Sequence, residues 1–210
     1  MIGFYDYTVI ATYLATILGL MGMFQALEGR TLVAVFCLLA AGLADCFDGR
    51  IARHKKNRST QEKSFGIQID SLNDLLCFGA LPAVIGYRLW TQWPAPVWYI
   101  ACLCFYTLAG LIRLAYFNVV EEERQRSSSD PRTCYLGLPI TAGALAFPLL
   151  YLLSLLLPGG RYILAGGMAL VGLLFILPLR IPKAGLGGIV LMALVGAAEL
   201  GGLLWLALGR

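Results

Sequence analysis

Asp45 and Asp48, followed by Asp70 and Asp74, are the residues whose type and spacing could do chemistry. Separations of three and four place each pair on one face of a helix. Only a short polar connection joins the two apolar runs that carry them, so the helices should be neighbours and the four carboxylates should converge near one end. Like charges held that close in a low dielectric repel, and at least one would take up a proton unless a cation were present. An all-oxygen set suits hard ions such as Mg²⁺, Mn²⁺ or Ca²⁺, whereas zinc more often recruits the sulfur and imidazole ligands that this cluster does not supply. Four carboxylates are enough to bridge two ions about 3.5–4 Å apart, an arrangement that serves in-line displacement at phosphorus. The residues alone therefore point to phosphoryl or phosphatidyl transfer. Gly49 and Gly66 leave room for a nucleotide or diphosphate to approach the backbone, and Arg53 could contact a phosphate. The competing reading makes the aspartates helix caps or partners of Arg50 and Arg53. Capping uses one carboxylate per helix end and gains nothing from paired spacing.

The elements that must position these residues are membrane helices. Of 210 residues, 59% are hydrophobic and 13% charged, and the mean hydropathy is +0.77, too apolar for an ordinary soluble domain. Spans of about 20 residues match the hydrocarbon core of a bilayer. Apolar runs lie at Tyr7 to Leu27, Thr31 to Gly49, Ile67 to Tyr87, Pro96 to Val119, Leu138 to Leu157, Tyr162 to Leu179 and Leu186 to Leu208. The expectation is an all-α integral membrane protein, a bundle of about seven transmembrane helices forming one domain over residues 1–210. If the N-terminus faces the cytoplasm, eleven Lys and Arg residues fall inside and four outside, with Arg113 within a span. That asymmetry fits the positive-inside rule and puts the acidic cluster at the cytoplasmic interface of the cell membrane. The first run lacks a basic leader, carries Asp6 and is too long for a signal core, so it should remain as a helix.

Other polar residues sort against this frame. The stretch from Glu121 to Asp130 is charged and serine-rich and reads as a mobile cytoplasmic loop. Arg113, toward the cytoplasmic end of its span, needs an anionic partner such as a diphosphate or a carboxylate unless it snorkels to the headgroups. His54 heads the basic run Lys55-Lys56-Asn57-Arg58, which suits anionic lipid headgroups. That run is short and has no aromatic stacking platform, so no nucleic-acid partner is expected. Trp90, Trp93 and Trp98 read as an interfacial aromatic belt, and the six cysteines as reduced packing residues. The glycines after Gly159 and Gly185 suggest close helix packing. Glu199 is an isolated intramembrane acid, read as a helix-packing hydrogen bond.

Asp45-Cys46-Phe47-Asp48-Gly49-Arg50-Ile51-Ala52-Arg53, then twelve residues, then Gly66-Ile67-Gln68-Ile69-Asp70-Ser71-Leu72-Asn73-Asp74 resembles the signature of the CDP-alcohol phosphatidyltransferases. The resemblance implies six family-core helices, with the seventh run an addition at the C-terminus. It implies attack by an alcohol on the phosphorus of CDP-diacylglycerol with release of CMP, supported by two divalent cations, Mg or Mn. Asp45, Asp48 and Asp70 are then metal ligands, and Asp74 is both a ligand and the general base. Gly49, Ala52, Arg53 and Gly66 line the CDP site, and Thr12 aligns with a first-span threonine of the same site. A homodimer is also implied. Asp70-Ser71-Leu72-x-Asp74, Phe78-Gly79-Ala80-Leu81-Pro82, Arg113-Leu114-Ala115-x-Phe117-Asn118 and Gly137-Leu138-Pro139 are similar to the phosphatidylserine synthase branch. That likeness makes L-serine the expected acceptor, with Arg113 and Asn118 on the acceptor or phosphate side. Glycerol-phosphate enzymes of the family usually have proline and lysine where Ser71 and Leu75 stand. Three departures from the serine branch are Tyr116, in place of a frequent second arginine, Asn73, in place of a usual alanine, and a first span without the usual proline and asparagine near its start; the missing arginine matters most, because it removes a candidate contact for a charged acceptor. The alternatives are another acceptor, inositol phosphate or glycerol phosphate, or a non-enzymatic cation transporter. Against the transporter, the acids gather at one membrane edge and no paired broken helices suggest an inverted repeat.

Overall fold

The computed structural model describes residues 3, 9–54, 59–92, 94–127, 134–182 and 186–209, without the side chains of 47–54, 60, 125–127, 134–135, 182, 186 and 189. Its helices are α1 (Ile10–Leu27), α2 (Thr31–His54), α3 (Thr60–Asp74), α4 (Leu81–Arg88), α5 (Val97–Ser127), α6 (Gly143–Leu156), α7 (Gly160–Ile176) and α8 (Leu186–Leu208). α3 and α4 form one rod through a π-helical stretch, Leu75–Ala80. Each expected apolar run is therefore a helical rod. Ile10–Leu27, Gln61–Arg88, Val97–Arg124 and Val190–Leu208 are long and apolar enough to cross a membrane, and Thr31–Cys46, Ile140–Leu156 and Gly160–Ile176 are shorter apolar helices. The protein is an all-α, multi-pass membrane protein.

Several boundaries differ from the hydropathy reading, each for a local reason. The third rod starts at Thr60, not at Ile67, because Ser59 and Glu62 form a capping box. The Ser59 Oγ accepts from the Glu62 N–H at 3.1 Å, and the Ser59 N–H donates to the Glu62 carboxylate at 2.7 Å. These reciprocal bonds satisfy donors that a helix start leaves open. The segment from Glu121 to Ser127, expected as a mobile loop, is helical. α5 runs on past its apolar part, supported by an ion pair one turn apart, Glu121 to Arg124 at 2.7 Å. α7 stops at Ile176, and the chain enters a two-stranded antiparallel ribbon that hydropathy did not announce, β1 (Cys134–Leu136) with β2 (Arg180–Pro182). Gly137 turns the chain out of β1 at φ +74°, and its N–H donates to the Leu179 carbonyl at 2.8 Å. A Cβ there would collide with the Phe175 carbonyl oxygen.

The π stretch explains how the third rod is held. Leu81 N–H reaches back five residues to the Leu76 carbonyl, and Pro82 brings no N–H of its own to the ladder. α5 supplies hydroxyls to the carbonyls along this rod. Tyr106 donates to the Phe78 carbonyl at 2.7 Å, Thr107 to Gly79 at 3.1 Å, and Tyr99 to Gly86 at 2.7 Å. Tyr99 and Tyr106 are fully buried, and their rings join the apolar core of Leu38, Phe78, Leu81, Ile85, Phe147 and Met168.

Small residues set the closest approaches, only partly where the sequence suggested. A Cβ at Gly42 would lie 2.8 Å from the Ala144 Cβ, and one at Gly19 would lie 2.7 Å from the Cys77 sulfur. Gly167 and Gly172 likewise face neighbours, whereas Gly166, Gly187 and Gly201 face open space. Glu199 is buried on α8, and the helix-packing hydrogen bond expected of it is not found among the described residues. At the opposite end from the aspartates, Trp90 meets Trp98 edge-on at 6.0 Å, and the Arg161 guanidinium lies 5.0 Å above the Trp90 ring. Trp93 lies outside the described residues. Cys37, Cys46, Cys77, Cys102 and Cys104 are free thiols.

Candidate active site

α2 and the α3 rod bring Asp45, Asp70 and Asp74 together, with one carboxylate oxygen from each within 4.8 Å of the others. Asp45 and Asp70 are half-buried and Asp74 is 7% exposed. Asp48 is one helical turn beyond Asp45 on α2, and its side chain lies outside the described residues, as do those of Ala52 and Arg53. Gly49 lies on that same segment. Gly66 is half-buried on α3, one turn before Asp70. An all-carboxylate donor set at this separation, one member nearly removed from solvent, fits a hard divalent cation. Such an ion would offset the repulsion of the gathered charges and supply Lewis-acid stabilisation to phosphoryl oxygens.

Two polar flanks frame the carboxylates, and neither was visible as a contact in the sequence. On the α1 side Thr12 is buried, and the Thr16 hydroxyl lies 2.9 Å from both the Thr12 carbonyl and the Asn73 Oδ1. Cys77 Sγ also reaches Asn73 Oδ1, at 3.4 Å. Asn73 is 3% exposed, and its Nδ2 finds no hydrogen-bond partner among the described residues. The departure from alanine therefore places an amide in a buried seam beside Asp74.

On the α5 side Arg113 is 8% exposed, its guanidinium 5.8 Å from the centre of the Phe117 ring. Asn118 does not stand alone there. Its Oδ1 accepts from the Ser71 hydroxyl at 2.8 Å, its Nδ2 donates to Gln68 Oε1 at 3.3 Å, and Gln68 Nε2 donates to Glu122 at 3.2 Å. Gln68 and Ser71 are three apart, and Asn118 and Glu122 four apart. The helical periodicity that exposed the aspartates also carried this signal. Tyr116 is 56% exposed on the outer side of α5 and is not among these contacts.

A helical membrane fold that gathers carboxylates from two adjoining rods at one end, with a buried arginine on the neighbouring α5, defines a polytopic membrane enzyme with an acidic centre. The CDP-alcohol phosphatidyltransferase family pattern matches residues 8–178, and the chain belongs to that family, an enzyme of the phosphatidyltransferase class. α8 lies beyond the matched residues. The CDP-diacylglycerol-serine O-phosphatidyltransferase of Helicobacter pylori is 30% identical over 174 residues, covering 79% of this chain and 67% of that protein. The Saccharomyces cerevisiae protein of the same name is 39% identical over 108 residues, 51% of this chain and 37% of its own. The archaetidylserine synthase of Methanothermobacter thermautotrophicus is 29% identical over 136 residues, covering 64% of this chain and 52% of that protein.

Proposed function

We propose that the protein transfers the phosphatidyl group of CDP-diacylglycerol to the hydroxyl of L-serine, giving phosphatidylserine and CMP. The observation that carries this reading is the convergence of Asp45, Asp70 and Asp74 between α2 and α3, in a chain whose relatives are named for serine as acceptor. With Asp48, these residues would hold two divalent cations, Mg or Mn, and Asp74 is the general base. The serine oxygen attacks the phosphatidyl phosphorus, Asp74 takes the hydroxyl proton, and the bond to the bridging oxygen breaks so that CMP departs with that oxygen. A carboxylate within about 3 Å of the alcohol can make this transfer. Thr12, Gly49, Ala52, Arg53 and Gly66 form the CDP side. Arg113, a buried guanidinium, suits the serine carboxylate through paired charge-assisted bonds, and Asn118 belongs to the same acceptor side.

The charge asymmetry of the loops supports an N-terminus and an active site on the cytoplasmic face of the cell membrane. There a soluble amino acid can meet a lipid that stays in the bilayer. Residues 1–210 act as one unit, and the working form is a homodimer. The test is CMP release by the purified protein from CDP-diacylglycerol with Mn²⁺ or Mg²⁺, comparing L-serine, glycerol 3-phosphate, inositol phosphate and no acceptor. Release that depends on serine and stops with a chelator is the expected result. Release with another acceptor would overturn the serine assignment, and silence with all of them would overturn the reaction.

A further inference from the structure

The four-residue ladder between α3 and α5 has a fixed hydrogen-bond polarity. Glu122, as a carboxylate, only accepts. Gln68 must therefore turn its Nε2 toward Glu122 and present its Oε1 to Asn118, which are the observed contacts of 3.2 and 3.3 Å. Asn118 then has its Nδ2 facing Gln68 and its Oδ1 facing Ser71, so the Ser71 proton is committed to Asn118 at 2.8 Å. One hydroxyl proton and two lone pairs are all that a serine side chain offers. With the proton used, the Ser71 oxygen can only accept. Ser71 adjoins Asp70 in sequence and stands one turn before Asp74, the distance at which side chains on a helix are neighbours.

We infer that Ser71 is the specificity residue that accepts a hydrogen bond from the ammonium group of the acceptor, with Asn118, Gln68 and Glu122 as positioning residues that hold it in the accepting state. This rests on the serine reading above. An amino alcohol has its oxygen and nitrogen on adjacent carbons, so the hydroxyl can lie at Asp74 while the ammonium lies at Ser71. A phosphate in the same place would meet lone pairs only. The carboxylate of the amino acid is left for Arg113, which divides recognition of the two charged groups between α3 and α5.

The experiment measures CMP release from CDP-diacylglycerol with L-serine, with ethanolamine (ammonium but no carboxylate) and with 3-hydroxypropionate (carboxylate but no ammonium). Ser71→Ala should raise the KM for serine about tenfold, the order expected for a lost bond to a charged group. The KM for CDP-diacylglycerol should stay within about twofold, and the preference for serine over 3-hydroxypropionate should fall with the loss in serine KM. Ser71→Thr, which keeps the hydroxyl, should retain that preference. Glu122→Gln keeps the shape and the contact with Gln68 but lets the ladder run in either direction, so it should shift the serine KM in the same sense. A merely structural role for Glu122 would not respond to that isosteric change. An unchanged preference for serine over 3-hydroxypropionate in both Ser71→Ala and Glu122→Gln would overturn the inference. Failure of the unsubstituted protein to use serine at all would overturn the functional reading on which it rests.

Discussion

Asp74 meets two demands that pull apart. It stands nearly removed from solvent among other carboxylates, yet the proposed chemistry needs a side chain there that can receive a proton. Neutralising it separates the two. Asp74→Asn should cut CMP release at least about a hundredfold, the low end for a lost general base, while the thermal unfolding midpoint in detergent stays level or rises. Activity within a fewfold of the starting protein would remove Asp74 from the mechanism. The aspartates were legible in the sequence because a helix turns spacing into a shared face, and intramembrane acids are rare enough to stand out. Their polar flanks were legible only in part: motifs named Thr12, Arg113 and Asn118, but not the contacts these flanks make. Asn73 registered only as an odd residue, and Ser71 as part of a motif, because a sequence does not say which side chain lies across the seam. Tyr116 shows the reverse failure. It looked like the departure most able to disturb the acceptor site, and the structure turns it outward.

At the scale of elements, runs of apolar residues located every rod, since hydrocarbon thickness leaves few alternatives. Irregular hydrogen bonding escaped, because it depends on partners from another helix. The π stretch exists beside α5, whose Tyr106, Thr107 and Tyr99 hydroxyls take carbonyls of that rod. Tyr106→Phe keeps the ring and takes a donor from the buried Phe78 carbonyl. The expected cost is about 1–3 kcal/mol, read as a lower unfolding midpoint in detergent with the clustered aspartates untouched. An unchanged midpoint would mean that the rod keeps its form without the hydroxyl. The polar extension of α5 escaped for a different reason. Glu121 to Ser127 is polar enough to look like a loop, and only the pairing of Glu121 with Arg124 shows that water and helix are compatible there.

Across the whole molecule, the acidic cluster and the tryptophan cluster occupy opposite ends. Asp45, Asp70 and Asp74 gather at one end, and the Trp90, Trp98 and Arg161 cluster lies at the other. The proposed orientation predicts that trypsin added to inside-out vesicles cuts the connection around Lys55 to Arg58, whereas right-side-out vesicles protect it. Cleavage confined to right-side-out vesicles would reverse the orientation.

The π stretch also decides which way the acids point. On an uninterrupted α-helix Asp74 would stand in line with Leu81 and Ile85, seven and eleven residues on, which are fully buried in the core. An extra residue in one turn rotates everything before it by about 100° relative to everything after it. The rod is thus two screws cut to the same pitch and joined out of phase, one threaded for the apolar core and the other for Asp45. Removing a single residue between Leu75 and Ala80 would bring the threads into phase and swing Asp70 and Asp74 off their target without changing either.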